Sequence, residues 1–476
     1  MVKRTKIVAT ISDRRCEVDF LERLYKEGVN VVRLNTAHQS PSESVKLIEN
    51  VRKVSDKIAI LVDTKGPEIR TTSMAGDAGF EVATGDTVIV KGDPTGVSSR
   101  SCLCLSYANI AKDIKAGTLL LIDDGDIALE VKQVKNDELV CEVKNHGTIK
   151  GHKSVNIPSV SINLPSLSEK DIDFVHFAVD MKIDFIAHSF VRRKEDLMAI
   201  QAILDERKSP IKLIAKIENR EGVDNIDEIL DYAYGIMVAR GDLGIEIPAE
   251  QIPVVQRQLI RKCILSKKPV IIATQMLHTM IENPRPTRAE VSDVANAIYQ
   301  RTDAVMLSGE TAYGEYPEEA VKVMTSIANE IESHQEPDVE INFIRVNNEI
   351  TAILAKSAVR ATIQLPIKAV IVDTLSGRTG RYISGFRGLV PVYAMCYKEY
   401  VMRQLALSYG VEAMYLEPRF THKHEFVHEA MQMLLDQHKL ELNDMVVVIG
   451  GSFGPSNGAT FMEISKVSNM LHLGKV

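Results

Sequence analysis

Residues Ile211–Asp242 read IKLIAKIENREGVDNIDEILDYAYGIMVARGD. Two short apolar runs, Ile211–Glu218 and Gly235–Asp242, each end on a carboxylate, with a helix-length segment between them. Glu218 and Asp242 lie 24 residues apart, the length of one strand–helix–strand unit, so parallel neighbouring strands present both at one sheet edge. Two hard oxygen ligands held in that way suit Mg²⁺ or Mn²⁺ better than Zn²⁺. Lys216 shares a strand face with Glu218, so its ammonium points at whatever the carboxylates hold. Taken alone, such a pair is equally what a surface ion pair at a strand end looks like. The rest of the chain has to separate the two.

Outward from this unit, short β-branched runs recur: Lys6–Ile11, Val29–Asn35, Ile58–Asp63, Asp184–Ser189, Pro269–Thr274 and Asp303–Ser308. Most are followed by a charged amphipathic segment such as Ser42–Val54 or Ile252–Ser266 that reads as a helix. Near-continuous apolar strands alternating with helices imply a parallel sheet buried on both faces. Eight of them predict an α/β fold built on a (β/α)₈ TIM barrel, with a doubly wound open sheet as the alternative. In that barrel the working side chains belong at the C-terminal strand ends, where Arg33, Asn35, Asp63, Lys216, Glu218, Asp242 and Thr274 fall.

The spacing breaks once, where about 120 residues separate the third and fourth runs, far more than one helix needs. Alternating segments inside the gap (Asp86–Lys91, Thr118–Asp123, Ile127–Val134, Glu138–Lys144) predict a small β-rich domain over residues 66–164, inserted into a barrel loop on the active face, where it can act as a lid. The barrel then comprises residues 1–65 and 165–336. Beyond Glu336–Pro337, Lys368–Asp373, Pro391–Met395, Val411–Leu416 and Met445–Ile449 alternate with helical stretches. They predict an open α/β domain over residues 345–476, suited to effector binding and oligomer contacts.

The 476 residues are 45% hydrophobic and 25% charged, as in a folded soluble protein. A net charge of −7 argues against nucleic-acid or anionic-membrane partners, so an anionic substrate needs a local basic cluster. No apolar stretch approaches a membrane span, and the apolar run near the N-terminus is too short for a signal peptide. The six cysteines form no CxxC pair. Cys102 and Cys104 read as packing, and the expected setting is a reduced cytoplasm. Neither GxGxxG nor a GxxxxGK[ST] loop occurs. Gly450–Gly458 (GGSFGPSNG) reads as a loop first and a phosphate site second.

Several blocks converge on one family. VRLNTAH (Val32–His38), DTKGPEIR (Asp63–Arg70), SFVR (Ser189–Arg192), KIENREG (Lys216–Gly222), MVARGDLGIEIP (Met237–Pro248), ATQML (Ala273–Leu277), NPRPTRAEVSDVANA (Asn283–Ala297) and MLSGETAYGEYP (Met306–Pro317) together strongly resemble pyruvate kinase. The resemblance implies transfer of a phosphoryl group from phosphoenolpyruvate to ADP, giving pyruvate and ATP in glycolysis, by a cytoplasmic homotetramer. It implies Glu218 and Asp242 as ligands of Mg²⁺ (or Mn²⁺), and Arg33, Lys216, Gly241, Asp242 and Thr274 as substrate contacts. Among these, Lys216 would stabilise the migrating phosphoryl group, Arg33 would bind phosphate, and Thr274 would assist protonation of the methylene carbon. Asn35, His38, Arg70 and Lys153 are implied nucleotide contacts, and Asn35, Asp63 and the Thr64 carbonyl implied K⁺ ligands. Thr374, Ser376, Gly377, Arg378 and Thr379 resemble a sugar-phosphate effector loop.

Other members have blander readings. His38 is equally a turn residue; Arg240 orients Asp242 or bridges domains; Arg285 and Arg288 open a helix; Met276 and Met306 are core. The chain also departs from the family pattern. Ala37 stands where a serine normally supplies a K⁺ ligand, Ser12-Asp13 replaces a Gly-Pro, and Ser154 follows Lys153 where glycine is common. Glu68 accompanies K⁺ dependence in the family. Two other classes are a metal-dependent lyase of pyruvate enolates on a similar barrel, and a catalytically silent relative. The first has no use for Lys153 or DTKGPEIR, and intact Lys216, Glu218, Asp242 and Thr274 speak against the second.

Overall fold

The computed structural model describes residues 3–472 apart from 38, 77, 159, 161, 163, 338–340, 344–345, 347, 418–422 and 452–457. Eight parallel strands (Lys6–Thr10, Val31–Asn35, Ala59–Asp63, Phe185–His188, Lys212–Ile217, Gly235–Ala239, Val270–Ala273 and Ala304–Leu307) close into a barrel. Closure is the pairing of the first strand with the eighth, Lys6 opposite Ala304 and Ile7 opposite Val305, which excludes the open-sheet alternative.

Alternate residues of each strand face opposite ways. Val8, Val31, Leu61, Ile214, Met237 and Ile271 fill the barrel interior, while Ile7, Val32, Ile60 and Leu213 pack outward beneath the helices. Two residues further along the inward face, the series reaches Arg33, Asp63 and Lys216, so the period that builds the core also aims these groups at one mouth. Some of the helices start where the sequence provides caps. Ser40 and Ser168 each accept an N3 backbone N–H, and their own backbone N–H donates to the N3 carboxylate in return, beginning Pro41–Val54 and Glu169–Asp180.

The insertion follows the third strand. Its six-stranded sheet runs Val155–Asn156, Leu119–Ile122, Ile127–Lys135, Glu138–Val143, Thr87–Gly92 and Leu103–Leu105, and Phe80–Val82 pairs separately with Gly147–Ile149. The four shortest strands were not legible in the sequence, because two or three residues cannot show a period. Arg192 ties the returning chain to the barrel, donating to the carbonyls of Ile162 (2.7 Å) and Leu164 (3.0 Å).

The C-terminal sheet orders Val411–Tyr415, Val392–Cys396, Ile367–Thr374, Met445–Gly450 and Phe461–Lys466. Its last strand is antiparallel and is a fifth beyond the four expected. A short 3₁₀ turn, Leu405–Leu407, plugs the N-terminal end of the barrel, with Leu407 inside the barrel's own core cluster. Beside it Arg387 grips Asp303 through two hydrogen bonds of 2.5 and 2.7 Å, both residues buried. All six cysteines are free. Among the described residues no helix is long and apolar enough to cross a membrane.

Candidate active site

Lys216 stands second from the end of the fifth strand and Glu218 just beyond it. The ammonium is 3.0 Å from Asp63 Oδ1, 3.0 Å from Glu218 Oε1 and 2.6 Å from Ser189 Oγ. Burial opposes its charge, but Asp63 and Glu218 outweigh that and hold it above the ordinary lysine value. Arg33 Nε donates to Asp63 Oδ2 at 2.6 Å and Arg33 NH1 to Thr10 Oγ1 at 2.9 Å. Burial works against the Asp63 anion, yet Arg33 and Lys216 keep its carboxyl below the usual range. Two cations and two carboxylates thus share one buried rim.

Asp242 lies not at a strand end but in the first turn of the short helix Arg240–Glu246 that follows the sixth strand. Burial raises both carboxyls, Glu218 to about 7, with Asp242 and Asp63 adding repulsion to Glu218. A buried all-oxygen pair that is short of positive charge even beside Lys216 fits a hard divalent cation. Glu218 Oε2 is fixed by the Phe190 N–H at 2.7 Å.

Thr274 has φ +68°, followed by Gln275 at +56°, a strained backbone for a β-branched residue. Three bonds hold it there: its hydroxyl donates to the Ala273 carbonyl (2.7 Å) and accepts the Gly241 N–H (2.8 Å), and its carbonyl accepts Arg240 NH2 (2.9 Å). Arg240 is itself anchored on Asp293 at 2.7 Å. It therefore orients Thr274, which corrects its reading as a partner of Asp242. The Gly241 N–H points at Thr274 rather than into open space.

Asn35 and Asp63 sit side by side in register on strands two and three. Asn35 Oδ1 accepts the Ala37 N–H at 3.2 Å, and the Thr64 carbonyl accepts the Ser189 hydroxyl at 2.7 Å. These oxygens, mostly neutral and on one rim, fit a large weakly hydrated cation. Arg70 and Lys153 both line a cavity of about 650 Å³ between the inserted sheet and the rim, which also reaches Asp242, Asn156 and Glu246. Each is occupied internally, Arg70 by Glu68 (2.6 Å) and Lys153 by Asp123 (2.9 Å). Lys216 and Glu218 lie beside this cavity rather than on its walls. His38 falls outside the described residues, as do positions 452–457 of the late glycine-rich loop. In the C-terminal domain, Thr374 ends a strand and is buried, Gly377 takes φ +75°, and Arg378–Gly385 is helical. The sequence reading missed Ser189, Phe190 and Asp293. The first had a signal, since it follows strand four at the offset by which Thr274 follows strand seven.

A lysine and an arginine converge on buried carboxylates at the barrel mouth, and Arg70 and Lys153 of the inserted domain line the cavity beside them, an arrangement that suits a phosphotransferase of the barrel class. Residues 2–321 match the profile of the pyruvate kinase barrel domain, and residues 352–465 that of the pyruvate kinase alpha/beta domain. The chain belongs to the pyruvate kinase family. It is 48% identical to a pyruvate kinase of Borreliella burgdorferi, covering 98% of each chain, and 42% identical to one of Bacillus licheniformis, covering all of this chain and 82% of that one. A crystal structure of a pyruvate kinase from Cryptosporidium parvum superposes with a TM-score of 0.92 at 35% identity, over 98% of this chain and 96% of the other.

Proposed function

We propose that this chain transfers the phosphoryl group of phosphoenolpyruvate to ADP, giving pyruvate and ATP. The observation that carries the reading is Lys216, held between Asp63 and Glu218 with Arg33 on the same rim, in a chain of the pyruvate kinase family. Such a transfer needs charge stabilisation and in-line placement more than covalent help. Arg33 grips the phosphate with its planar fork. Lys216 neutralises charge on the phosphoryl group as its bond to the enolate oxygen breaks and a bond to the ADP β-phosphate forms. Glu218 and Asp242 hold a divalent cation, which when bound supplies Lewis-acid stabilisation of the enolate oxygen. The Gly241 N–H exchanges Thr274 for the substrate carboxylate, and the freed Thr274 hydroxyl orients a water that gives its proton to the methylene carbon.

Arg70 and Lys153 exchange Glu68 and Asp123 for nucleotide phosphates as the inserted domain closes, joined by His38 and Asn35. Asn35, Asp63 and the Thr64 carbonyl hold K⁺. The loop Thr374–Thr379, containing Ser376, Gly377 and Arg378, takes a sugar phosphate, and the working form is a cytoplasmic homotetramer. A lyase has no use for Arg70 and Lys153 over the cleft. With K⁺ present throughout, a coupled assay with phosphoenolpyruvate, ADP and Mg²⁺ tests the reading. Pyruvate should form only with all three present, and no turnover under those conditions would overturn it.

A further inference from the structure

The segment Ser189–Arg192 takes no part in the chemistry above, yet its first two residues touch the machinery directly. Ser189 is buried just past the end of the fourth strand. Its hydroxyl has oxygens or nitrogens on three sides: Lys216 Nζ at 2.6 Å, the Thr64 carbonyl at 2.7 Å and Asp63 Oδ1 at 3.3 Å. An ammonium only donates, so the Ser189 oxygen accepts from Lys216. The single hydroxyl proton then goes to the shorter contact, the Thr64 carbonyl. The direction of the hydroxyl is therefore set by inventory.

The three ammonium protons are likewise all assigned, to Asp63, Glu218 and Ser189. Two of these partners are anions whose pull on Lys216 weakens when a cation and a phosphoryl group enter. Ser189 is neutral and itself holds none of the incoming groups, and the Thr64 carbonyl has a second lone pair for K⁺, so the bond to Lys216 is retained and keeps the ammonium aimed. The backbone is built to hold it there. Phe190 takes φ +54°, a strained angle for a bulky residue, with its N–H on Glu218. Gly66, at φ +70°, approaches so closely that a Cβ there would stand 2.7 Å from the Ser189 Cβ.

We propose that Ser189 is a positioning residue for the phosphoryl transfer: its hydroxyl, anchored on the Thr64 carbonyl, fixes the direction of the Lys216 ammonium. This rests on the phosphotransfer reading. Ser189→Ala should lower kcat about tenfold or more while KM for phosphoenolpyruvate moves by less than about twofold, because direction matters most where charge develops. A hydroxyl that merely supports the fold would act independently of Lys216, so the second readout is a double-mutant cycle. In a Lys216→Ala background, Ser189→Ala should change the residual rate by less than about twofold. An undiminished tenfold loss in that background overturns the proposal, as does a single variant with kcat within twofold of the parent. An inactive parent would instead overturn the phosphotransfer reading itself. Should Ser189→Ala fail to fold, Ser189→Cys keeps the side-chain shape with a slightly larger atom, weakens the acceptor and carries both measurements.

Discussion

Lys216 carries its full charge in a buried site because two carboxylates are placed 3.0 Å from it. In the proposed mechanism its removal takes away a charge aimed at the transition state, so Lys216→Ala should cut turnover by about 10²–10³ or more. Glu218→Gln and Asp242→Asn should act differently, raising the Mg²⁺ concentration needed for half-maximal rate. A steady-state comparison across a Mg²⁺ titration separates the two effects. Glu246, on the cleft wall, offers a pH test. Burial pushes its carboxyl up to about 7 from 4.5, with a hydrogen bond to Asn156 opposing. The folded protein thus favours the neutral acid. That contribution is complete below the unfolded value and is lost as pH rises through 7. Glu246→Gln, neutral throughout, should gain stability over the parent between pH 5 and pH 8, by roughly 2–3 kcal/mol at most. Urea midpoints across that range check it, and a constant difference would contradict it.

The ends of strands two and three bring Asn35, Asp63 and Thr64 to one rim, with Ala37 in the turn beside them, and this is the place proposed above for K⁺. Glu68 is paired with Arg70, so the one nearby arginine on this loop is already neutralised and leaves the phosphate end short of positive charge. Ala37 removes a hydroxyl ligand, and a water can take its place. K⁺ should therefore activate, with weak apparent affinity, and Ala37→Ser should tighten it several-fold. Full activity in tetramethylammonium buffer without K⁺ would sink this expectation. The sequence placed these turns well, since each follows a strand whose apolar run ends in a polar group. It could not show that Thr64 and Asp63 are shared with Ser189, a residue more than a hundred positions on.

The C-terminal domain is not an appendage, because Leu407 lies fully buried within the core of the barrel. Leu407→Ala should cost about 2–5 kcal/mol, the range for truncating a buried leucine. It should also loosen the seam, so that barrel and C-terminal domain unfold in separate steps. Differential scanning calorimetry would show one transition splitting into two, and an unsplit, unshifted transition would refute the coupling. The buried Arg387–Asp303 pair would then hold the seam with one anchor fewer.

Strand periodicity by itself determined that a parallel α/β unit forms, as a barrel or an open sheet, that a β-rich unit interrupts it and that a second α/β unit follows; closure into a barrel was decided by the structure. Burial on both faces demands apolar runs, and these are visible in one dimension. The same period carried Arg33, Asp63 and Lys216 to a common mouth, so their meeting was readable. Only the tertiary structure decided which hydroxyl meets Lys216, that Arg240 holds Thr274 in a left-handed turn, and that Leu407 closes the barrel floor. Each of these depends on residues far apart in sequence meeting at a few ångströms, and a contact of that kind leaves no period or spacing for the sequence to display.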